Sequence, residues 1–291
     1  MKKIDVMLTL RKLEIKPKKH LGQNFLIDNN IAQKIIMESE LTKDDIILEI
    51  GPGLGALTES LVERVKKVYA IEIESKFCNF LSNKFSKCDN LEIINADILK
   101  IEIPNCDKVV SNIPYSITGP LLEKIFFKPN PPQGILTVEK SIADRIFLKE
   151  DYKKFSRITI TFNTFMEPIY KFNISRNCFY PIPNIDLTLI KIKPKENLNP
   201  FLLDNNNLNF FLKFVSGIMP YKNKNIVNAL KLFLKNDKEE ILKILLKNNF
   251  ENKKISILNI EDFIRLSNLF INSKKIEKNS DKYKGFTRSN H

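Results

Sequence analysis

The stretch Ile47-Leu48-Glu49-Ile50-Gly51-Pro52-Gly53-Leu54-Gly55 decides the fold of this 291-residue chain. A short apolar strand leads directly into three glycines within five positions, although the chain has only 8 glycines in all. Glycine permits a tight turn and lets the backbone approach a ligand that a Cβ would block. Because a strand, a glycine turn and a helix in this order begin a βαβ unit, the stretch predicts an α/β fold with a nucleoside-bearing ligand at the strand end.

Short apolar runs follow this stretch along the chain and alternate with helical patterns. Because the runs are apolar on both faces, they predict parallel strands covered by helices on both sides. The predicted strands are Ile46–Ile50, Val68–Ile73, Leu91–Asn95, Lys108–Ser111 and Ile135–Val138. The predicted helices are Ile31–Glu40, Ala56–Val65, Ser75–Phe85 and Pro120–Phe127. Two alternating runs, Phe165–Ile174 and Asp186–Lys193, are expected to close the sheet as an antiparallel edge.

The composition changes near residue 195, after which Leu, Ile, Phe and Lys recur in short helical patterns without a strand. We therefore expect an α/β domain over residues 1–195, which includes a basic N-terminal segment at 1–30. A smaller helical domain is expected at 196–272. The polar and basic tail at 273–291 is expected to be disordered, because it has too little apolar surface to bury.

The charge and the rare residue types restrict the classes of function. Lys and Arg number 47 against 34 Asp and Glu, which leaves a net charge of +13 and favours a polyanionic partner. A basic surface without such a partner is the alternative. Two histidines and 4 cysteines without paired spacing supply neither a metal site nor a Ser-His-Asp triad well. No transmembrane run or signal peptide is present, so we expect a cytoplasmic protein without membrane contact.

Two acidic residues follow the next strands and suit a nucleoside. Glu72 ends the second strand, where its carboxylate can accept both ribose hydroxyls. Asp97 follows the third strand, where it can accept a hydrogen bond from an adenine amine.

Two ligands are compatible with this pattern. Gly51, Gly53 and Ala56 also satisfy the dinucleotide pattern GxGxxA, so an NAD-dependent dehydrogenase stays open. Glu49, just before the glycines, would suit a cationic ligand and repel a pyrophosphate. We therefore favour S-adenosylmethionine.

The segment Ser111-Asn112-Ile113-Pro114-Tyr115 follows the fourth strand, at the same sheet edge. An exocyclic aromatic amine is a poor nucleophile, because its lone pair is delocalised into the ring. The Asn112 side-chain oxygen and the Pro114 carbonyl could accept hydrogen bonds from its two N–H groups and so free the lone pair. Tyr115 offers an aromatic face on which a base can stack. The segment therefore predicts methyl transfer to a base amine, with a base that is unpaired or flipped out.

Taken together, these motifs resemble the rRNA adenine N6,N6-dimethyltransferase family over roughly residues 17–195. The resemblance rests on Glu72, Asp97 and four segments: His20-Leu21-Gly22-Gln23-Asn24-Phe25-Leu26, residues 48–55, residues 112–115, and Phe179-Tyr180-Pro181-Ile182-Pro183. It implies a Rossmann-like S-adenosylmethionine-dependent methyltransferase sheet with a small all-helical C-terminal domain that binds RNA. It also implies two successive methylations of an rRNA adenine.

The resemblance also implies roles for single residues. By motif match, the cofactor contacts would be Asn24, Leu26, Gly51, Gly53, Glu72, Asp97 and Asn112. Phe179 would sandwich the adenine against Tyr115, although a Phe pinned by prolines can equally belong to the core. Two departures stand out: Ser116 where the family carries Asn or a bulkier residue, and Pro220-Tyr221-Lys222-Asn223-Lys224 where an Arg-rich segment is typical.

Several branches share these motifs. The length and the segment 139–145 resemble the housekeeping branch, which modifies two adjacent adenines near the 3′ end of small-subunit (16S) rRNA. The expected partner is then rRNA within a small ribosomal subunit or its precursor, and the expected enzyme is a monomer. The alternatives are the macrolide-resistance type, which acts on large-subunit (23S) rRNA, the mitochondrial transcription-factor branch, and an assembly factor without turnover.

Overall fold

The structure, a computed structural model, describes residues 2–17, 22–148 and 154–271. His20 and Leu21 of the N-terminal motif and the predicted tail at 273–291 lie outside these ranges. The chain divides into two compact units. The first comprises the chain up to Phe147 together with Phe162–Glu196, and the second comprises Leu148–Thr161 together with the chain from Asn197.

The first unit is built on a seven-stranded mixed sheet. The strands of the chain are β1 Phe25–Leu26, β2 Ile46–Ile50, β3 Lys67–Glu72, β4 Leu91–Asn95, β5 Lys108–Asn112, β6 Gln133–Glu139, β7 Met166–Ile174, β8 Phe179–Tyr180 and β9 Leu187–Pro194. The order in the large sheet is β4-β3-β2-β5-β6-β9-β7. Strands β2 to β6 are parallel, and β9 is antiparallel to both β6 and β7. This confirms the predicted α/β sheet with an antiparallel edge.

Helices cover the sheet in the first unit and make up the second. They are α1 Lys3–Lys12, α2 Asn29–Glu38, α3 Thr58–Val62, α4 Ser75–Lys84, α5 Thr118–Phe126, α6 Lys140–Ile146, α7 Arg157–Phe165, α8 Asn205–Ile218, α9 Ile226–Leu234, α10 Lys238–Lys247 and α11 Ile260–Phe270. In the described part of the second unit the regular elements are helices, and Asn225 and Lys254 form an isolated antiparallel bridge. Within the described ranges, none of these helices has the length and apolarity needed to cross a bilayer.

The polar residues of the site share one face of the sheet. The core residues on this face of the three central strands are Ile47, Val68 and Val110. Side chains alternate between the faces of a strand, so residues at even spacing point the same way. Glu49, Glu72 and Asn112 therefore lie on this face, at the carboxyl ends of β2, β3 and β5. Strand β2 lies between β3 and β5, so these ends meet where the strand order reverses, which is the usual ligand position in such sheets.

A separate two-stranded ribbon joins two distant motifs. Strand β1 pairs antiparallel with β8, with Phe25 opposite Tyr180 and Leu26 opposite Phe179. The Ile27 N–H then donates to the Cys178 carbonyl over 2.9 Å. The ribbon therefore fixes the N-terminal motif beside the Pro-rich loop that follows β8.

Candidate functional site

A cavity of about 290 Å³ lies at the carboxyl ends of β2, β3 and β5. Most of the residues predicted for the site line it. These are Asn24, Leu26, Gly51, Gly53, Glu72, Asp97, Asn112 and Pro114. Tyr115 and Phe179 do not line it. Ser116, one of the two departures from the family pattern, is exposed and does line it.

The glycine turn lies directly against the Asn112–Tyr115 segment. Gly51 has φ +63°, in the left-handed region that favours glycine. A Cβ at Gly51 would stand 3.3 Å from Cγ of Pro114, which is tighter than ordinary packing. The absence of a side chain at Gly51 therefore lets the glycine turn and the Asn112–Tyr115 segment line one cavity.

Glu72 is a buried carboxylate held by the glycine turn. It is 6% exposed, and its Oε2 accepts from the Gly53 N–H over 3.2 Å while its Oε1 accepts from the Glu74 N–H over 2.9 Å. Burial raises the pKa of Glu72, and these backbone hydrogen bonds act against the rise. Each carboxylate oxygen has a further lone pair, so Glu72 can still accept from a pair of hydroxyls.

Glu49 lies deeper, beneath the turn. It is 2% exposed and accepts from the Thr58 hydroxyl over 2.7 Å. Burial raises the pKa of Glu49 to about 8; the hydrogen bond from Thr58 opposes this, and the nearby Glu72 adds to it. A positive charge in the cavity would favour the ionised form of Glu49, because opposite charges lower a carboxyl pKa.

Asp97 lies at the edge of the cavity, in the turn that follows β4. It lines the cavity, and its Oδ1 accepts from the Leu99 N–H over 3.0 Å. Its Oδ2 lies 3.6 Å from Nζ of Lys100. The turn thus orients the carboxylate at the cavity edge.

The Asn112 side chain is oriented by the N-terminal motif. Its Nδ2 donates to the Asn24 carbonyl over 3.1 Å, whereas its buried Oδ1 has no partner. Only the NH₂ side of an amide can donate, so this contact determines which end of the amide is the free acceptor. Asn24 in turn donates its own Nδ2 to the Gly22 carbonyl over 3.2 Å.

The following residues supply a second acceptor and a buried hydroxyl. The Pro114 carbonyl accepts from the Ile117 N–H over 3.2 Å and has one lone pair left. The Tyr115 hydroxyl is buried without a partner. Burial raises the pKa of Tyr115, so the hydroxyl stays neutral. The nearby Asn112 side chain acts against this rise but does not cancel it.

Phe179 lies in the core. It is 1% exposed and belongs to the apolar cluster against which Tyr115 packs. A stacked adenine needs an open ring face, and the structure gives Phe179 none. Its predicted contact with a base stays a prediction.

Several residues of the cavity wall were not predicted from the sequence, and Val6 is the one most distant along the chain from the predicted motifs. Val6, on helix α1, lines the cavity, although the sequence suggested no site residue ahead of the motif at 20–26. The spacing of Val6 and Leu10, one helical turn apart, was the available signal.

The cysteines and acidic residues form no further site in the described ranges. No group of three or more His, Cys, Asp or Glu side chains there is arranged to hold a metal ion. The four cysteines are free thiols, and burial raises the pKa of both Cys78 and Cys106 to about 11. These thiols are therefore protonated at neutral pH.

Comparisons with known proteins agree with this geometry. The sequence model of the family described as Ribosomal RNA adenine dimethylase matches residues 15–271. A relative from Thermotoga maritima, Ribosomal RNA small subunit methyltransferase A, is 40% identical over 229 residues, which cover 77% of this chain and 78% of the relative. The protein of the same name from Borreliella burgdorferi is 35% identical over 270 residues, which cover 91% of this chain and 92% of the relative.

Two solved structures are similar over most of the chain. A dimethyladenosine transferase from Plasmodium falciparum aligns with a TM-score of 0.73 and 27% identity, covering 84% of this chain and 97% of that one. The 23S rRNA methyltransferase ErmE aligns with a TM-score of 0.60 and 25% identity, covering 84% of this chain and 98% of that one.

Proposed function

This chain belongs to the Ribosomal RNA adenine dimethylase family, and from that premise we propose that it dimethylates the N6 amine of two adjacent adenines near the 3′ end of small-subunit rRNA. The relatives named for the small subunit, at 33–40% identity, support this substrate over the large-subunit alternative.

The cavity fits S-adenosylmethionine as the methyl donor. When bound, this cofactor supplies a methyl group on a cationic sulfur. Glu72 would hold the ribose hydroxyls, Asp97 the adenine amine, and the Gly51–Gly53 turn would pass close to the ligand. Glu49 would balance the positive charge from below. Asn24 and Leu26, which line the same cavity, would complete the cofactor contacts.

The observation that carries the proposal is the free Oδ1 of Asn112. Its amide is anchored through Nδ2, so the acceptor is in place before a substrate arrives. Oδ1 and the Pro114 carbonyl would accept hydrogen bonds from the two N–H groups of the adenine amine and direct its lone pair toward the methyl group. Such preorganised acceptors act without reorganisation during the reaction. The methylated amine is cationic and loses its proton afterwards, so no histidine base is needed.

The target adenine has to leave its stack to enter the cavity. Tyr115 would then stack on the base, with Phe179 behind it. The net charge of +13 supports an RNA partner, which we propose to be the small ribosomal subunit or its precursor, met in the cytoplasm by a monomeric enzyme.

The test is Asn112→Ala, assayed with labelled S-adenosylmethionine on purified small and large ribosomal subunits. Loss of the acceptor should lower the methylation rate by roughly 10²- to 10³-fold, while rRNA binding changes little. Asn90→Ala is the matched control, because Asn90 also donates its Nδ2 to backbone carbonyls, those of Val62 and Val65, but lies away from the cavity. Its methylation rate should stay near that of the wild type.

Three results would contradict the proposal. Normal methylation by Asn112→Ala would remove the mechanism. Label confined to the large subunit would reassign the substrate. A wild-type protein that binds small subunits but transfers no label would indicate an assembly factor.

A further inference from the structure

Helix α1 lies ahead of the segment that the family model matches. The family match begins at residue 15, whereas α1 spans Lys3–Lys12. Its residue Val6 nevertheless lines the cavity. Part of the cavity wall therefore comes from outside the matched segment.

Apolar packing holds α1 against the cofactor half of the sheet. Val6 and Leu10 are 1% and 3% exposed and pack in one cluster with Phe25, Leu54 and Phe77. These last three residues also line the cavity. The cluster is therefore a wall of the cavity, to which Val6 contributes from α1.

Polar contacts fix the end of α1. Lys76, on α4, donates its Nζ to the carbonyls of Leu13 and Glu14, over 3.0 and 3.4 Å. A cation at this position also suits the negative end of the helix dipole. Since α4 follows directly from Glu72 at the end of β3, α1 is attached at the side of the cavity proposed for the ribose.

We propose that Val6 contacts the bound cofactor, so that helix α1 completes the S-adenosylmethionine site of this chain. This inference rests on the proposed function for the identity of the ligand. The helix supplies an apolar surface at the nucleoside side and keeps water from it, and it takes no part in the methyl transfer.

Three alanine substitutions at different positions of α1 test this proposal. Val6→Ala removes apolar contact with the ligand and should weaken S-adenosylmethionine binding roughly three- to tenfold in calorimetric titration. Leu10→Ala truncates a residue of the same helix and cluster that does not line the cavity, and it should lower the melting temperature with less than about a twofold change in affinity. Leu8→Ala, on the exposed face, should change neither.

A measurement on the wild type avoids any effect of the variants on folding. Hydrogen–deuterium exchange of the peptide covering residues 3–12 should slow when S-adenosylmethionine is added. Unchanged exchange, or equal affinity losses in Val6→Ala and Leu10→Ala, would overturn the inference. A wild-type protein that does not bind S-adenosylmethionine at all would instead overturn the proposed function.

Discussion

At the scale of single residues, the site contains buried polar atoms that lack partners. Across the described residues, four buried side-chain atoms have none, and three of them are Asn112 Oδ1, Tyr115 Oη and Thr137 Oγ1. Thr137 stands opposite Asn112 in the pairing of β5 with β6. An unpaired buried polar group costs about 1–3 kcal/mol. Of these three residues only Asn112 lines the cavity, so its Oδ1 is the acceptor placed to bind a ligand at this cost in stability.

Glu49 predicts how stability depends on pH. Its pKa is raised in the folded protein to about 8 from 4.5, so the folded state binds the proton more tightly than the unfolded state. The stability that the protonated Glu49 side chain contributes is fully present below about pH 4.5 and is lost as the pH rises through 8. The free energy of unfolding should therefore fall by on the order of 3 kcal/mol more in the wild type than in Glu49→Gln between pH 5 and 8. Urea unfolding of both proteins at several pH values checks this, and parallel curves would contradict it.

The conformation of Gly22 and its closeness to Tyr115 indicate how the N-terminal motif supports the hydrogen-bond acceptors of the Asn112–Tyr115 segment. The φ of Gly22 is +66°, and a Cβ there would stand 2.9 Å from the backbone nitrogen of Tyr115. Gly22→Ala should therefore displace the Asn112–Tyr115 segment and lower the methylation rate at least about tenfold, because small misplacements of reacting groups are costly.

Gly119→Ala is the control for this change. A Cβ at Gly119, in α5, would meet no atom within 4 Å. Alanine is favoured over glycine in a helix by about 1 kcal/mol, so this variant should be as active as the wild type and slightly more stable. Equal activity of the two variants would show that Gly22 is not needed for positioning.

Residue identities were easier to predict than residue environments. The acidic and amide positions at the strand ends followed from chain order alone, since strand ends in a parallel sheet meet at one edge. The orientation of the Asn112 amide depends on the Asn24 carbonyl, 88 positions away, and no local pattern contains that contact. The burial of Phe179 likewise results from packing that only the folded chain creates.

At the scale of elements, segments with a clear apolar pattern were predictable, and segments without one were not. Strand β2 was predicted with its observed bounds, because five residues of mostly apolar character precede a glycine turn. The ribbon strands β1 and β8 have two residues each, which is too short for any period to appear. Helix α1 was missed because exposed Ile4, Met7 and Leu8 obscure its buried face of Val6 and Leu10.

The packing of α8 against α9 in the second unit predicts that a substitution there lowers stability without changing cofactor binding. A Cβ at Gly217, on α8, would stand 2.0 Å from the Phe233 ring on α9. Gly217→Ala should destabilise this unit by about 1–3 kcal/mol, because the ring has to move. S-adenosylmethionine affinity should stay unchanged, since the residues lining the cavity all belong to the first unit. Thermal unfolding and calorimetric titration measure the two effects.

Lys213→Ala provides the comparison on the same helix. Lys213 is exposed, so its truncation should alter neither the melting temperature nor the affinity appreciably. A melting temperature of Gly217→Ala equal to that of Lys213→Ala would mean that the helices tolerate the added methyl group.

At the scale of the whole molecule, the charge of +13 separates the two proposed ligands. Binding of rRNA should weaken about tenfold or more between about 50 and 200 mM salt, because phosphate contacts release counterions. Binding of S-adenosylmethionine to a largely buried cavity should change far less. Filter binding for the RNA and titration for the cofactor test this, and similar salt slopes for both would argue against an electrostatic RNA contact.

The ribbon of β1 and β8 has a consequence for the order in which the protein forms. It pairs Leu26 with Phe179, and the adjacent contact between the Asp28 and Cys178 side chains spans 150 positions of the chain. Non-local pairings of this kind form slowly. During synthesis, the N-terminal motif that orients Asn112 has no partner strand until β8 has left the ribosome. We expect the enzyme to become competent only late in folding, so in refolding experiments recovery of cofactor binding should lag behind recovery of the sheet signal. An enzyme that modifies rRNA would thus gain its activity only once most of its own chain has been made.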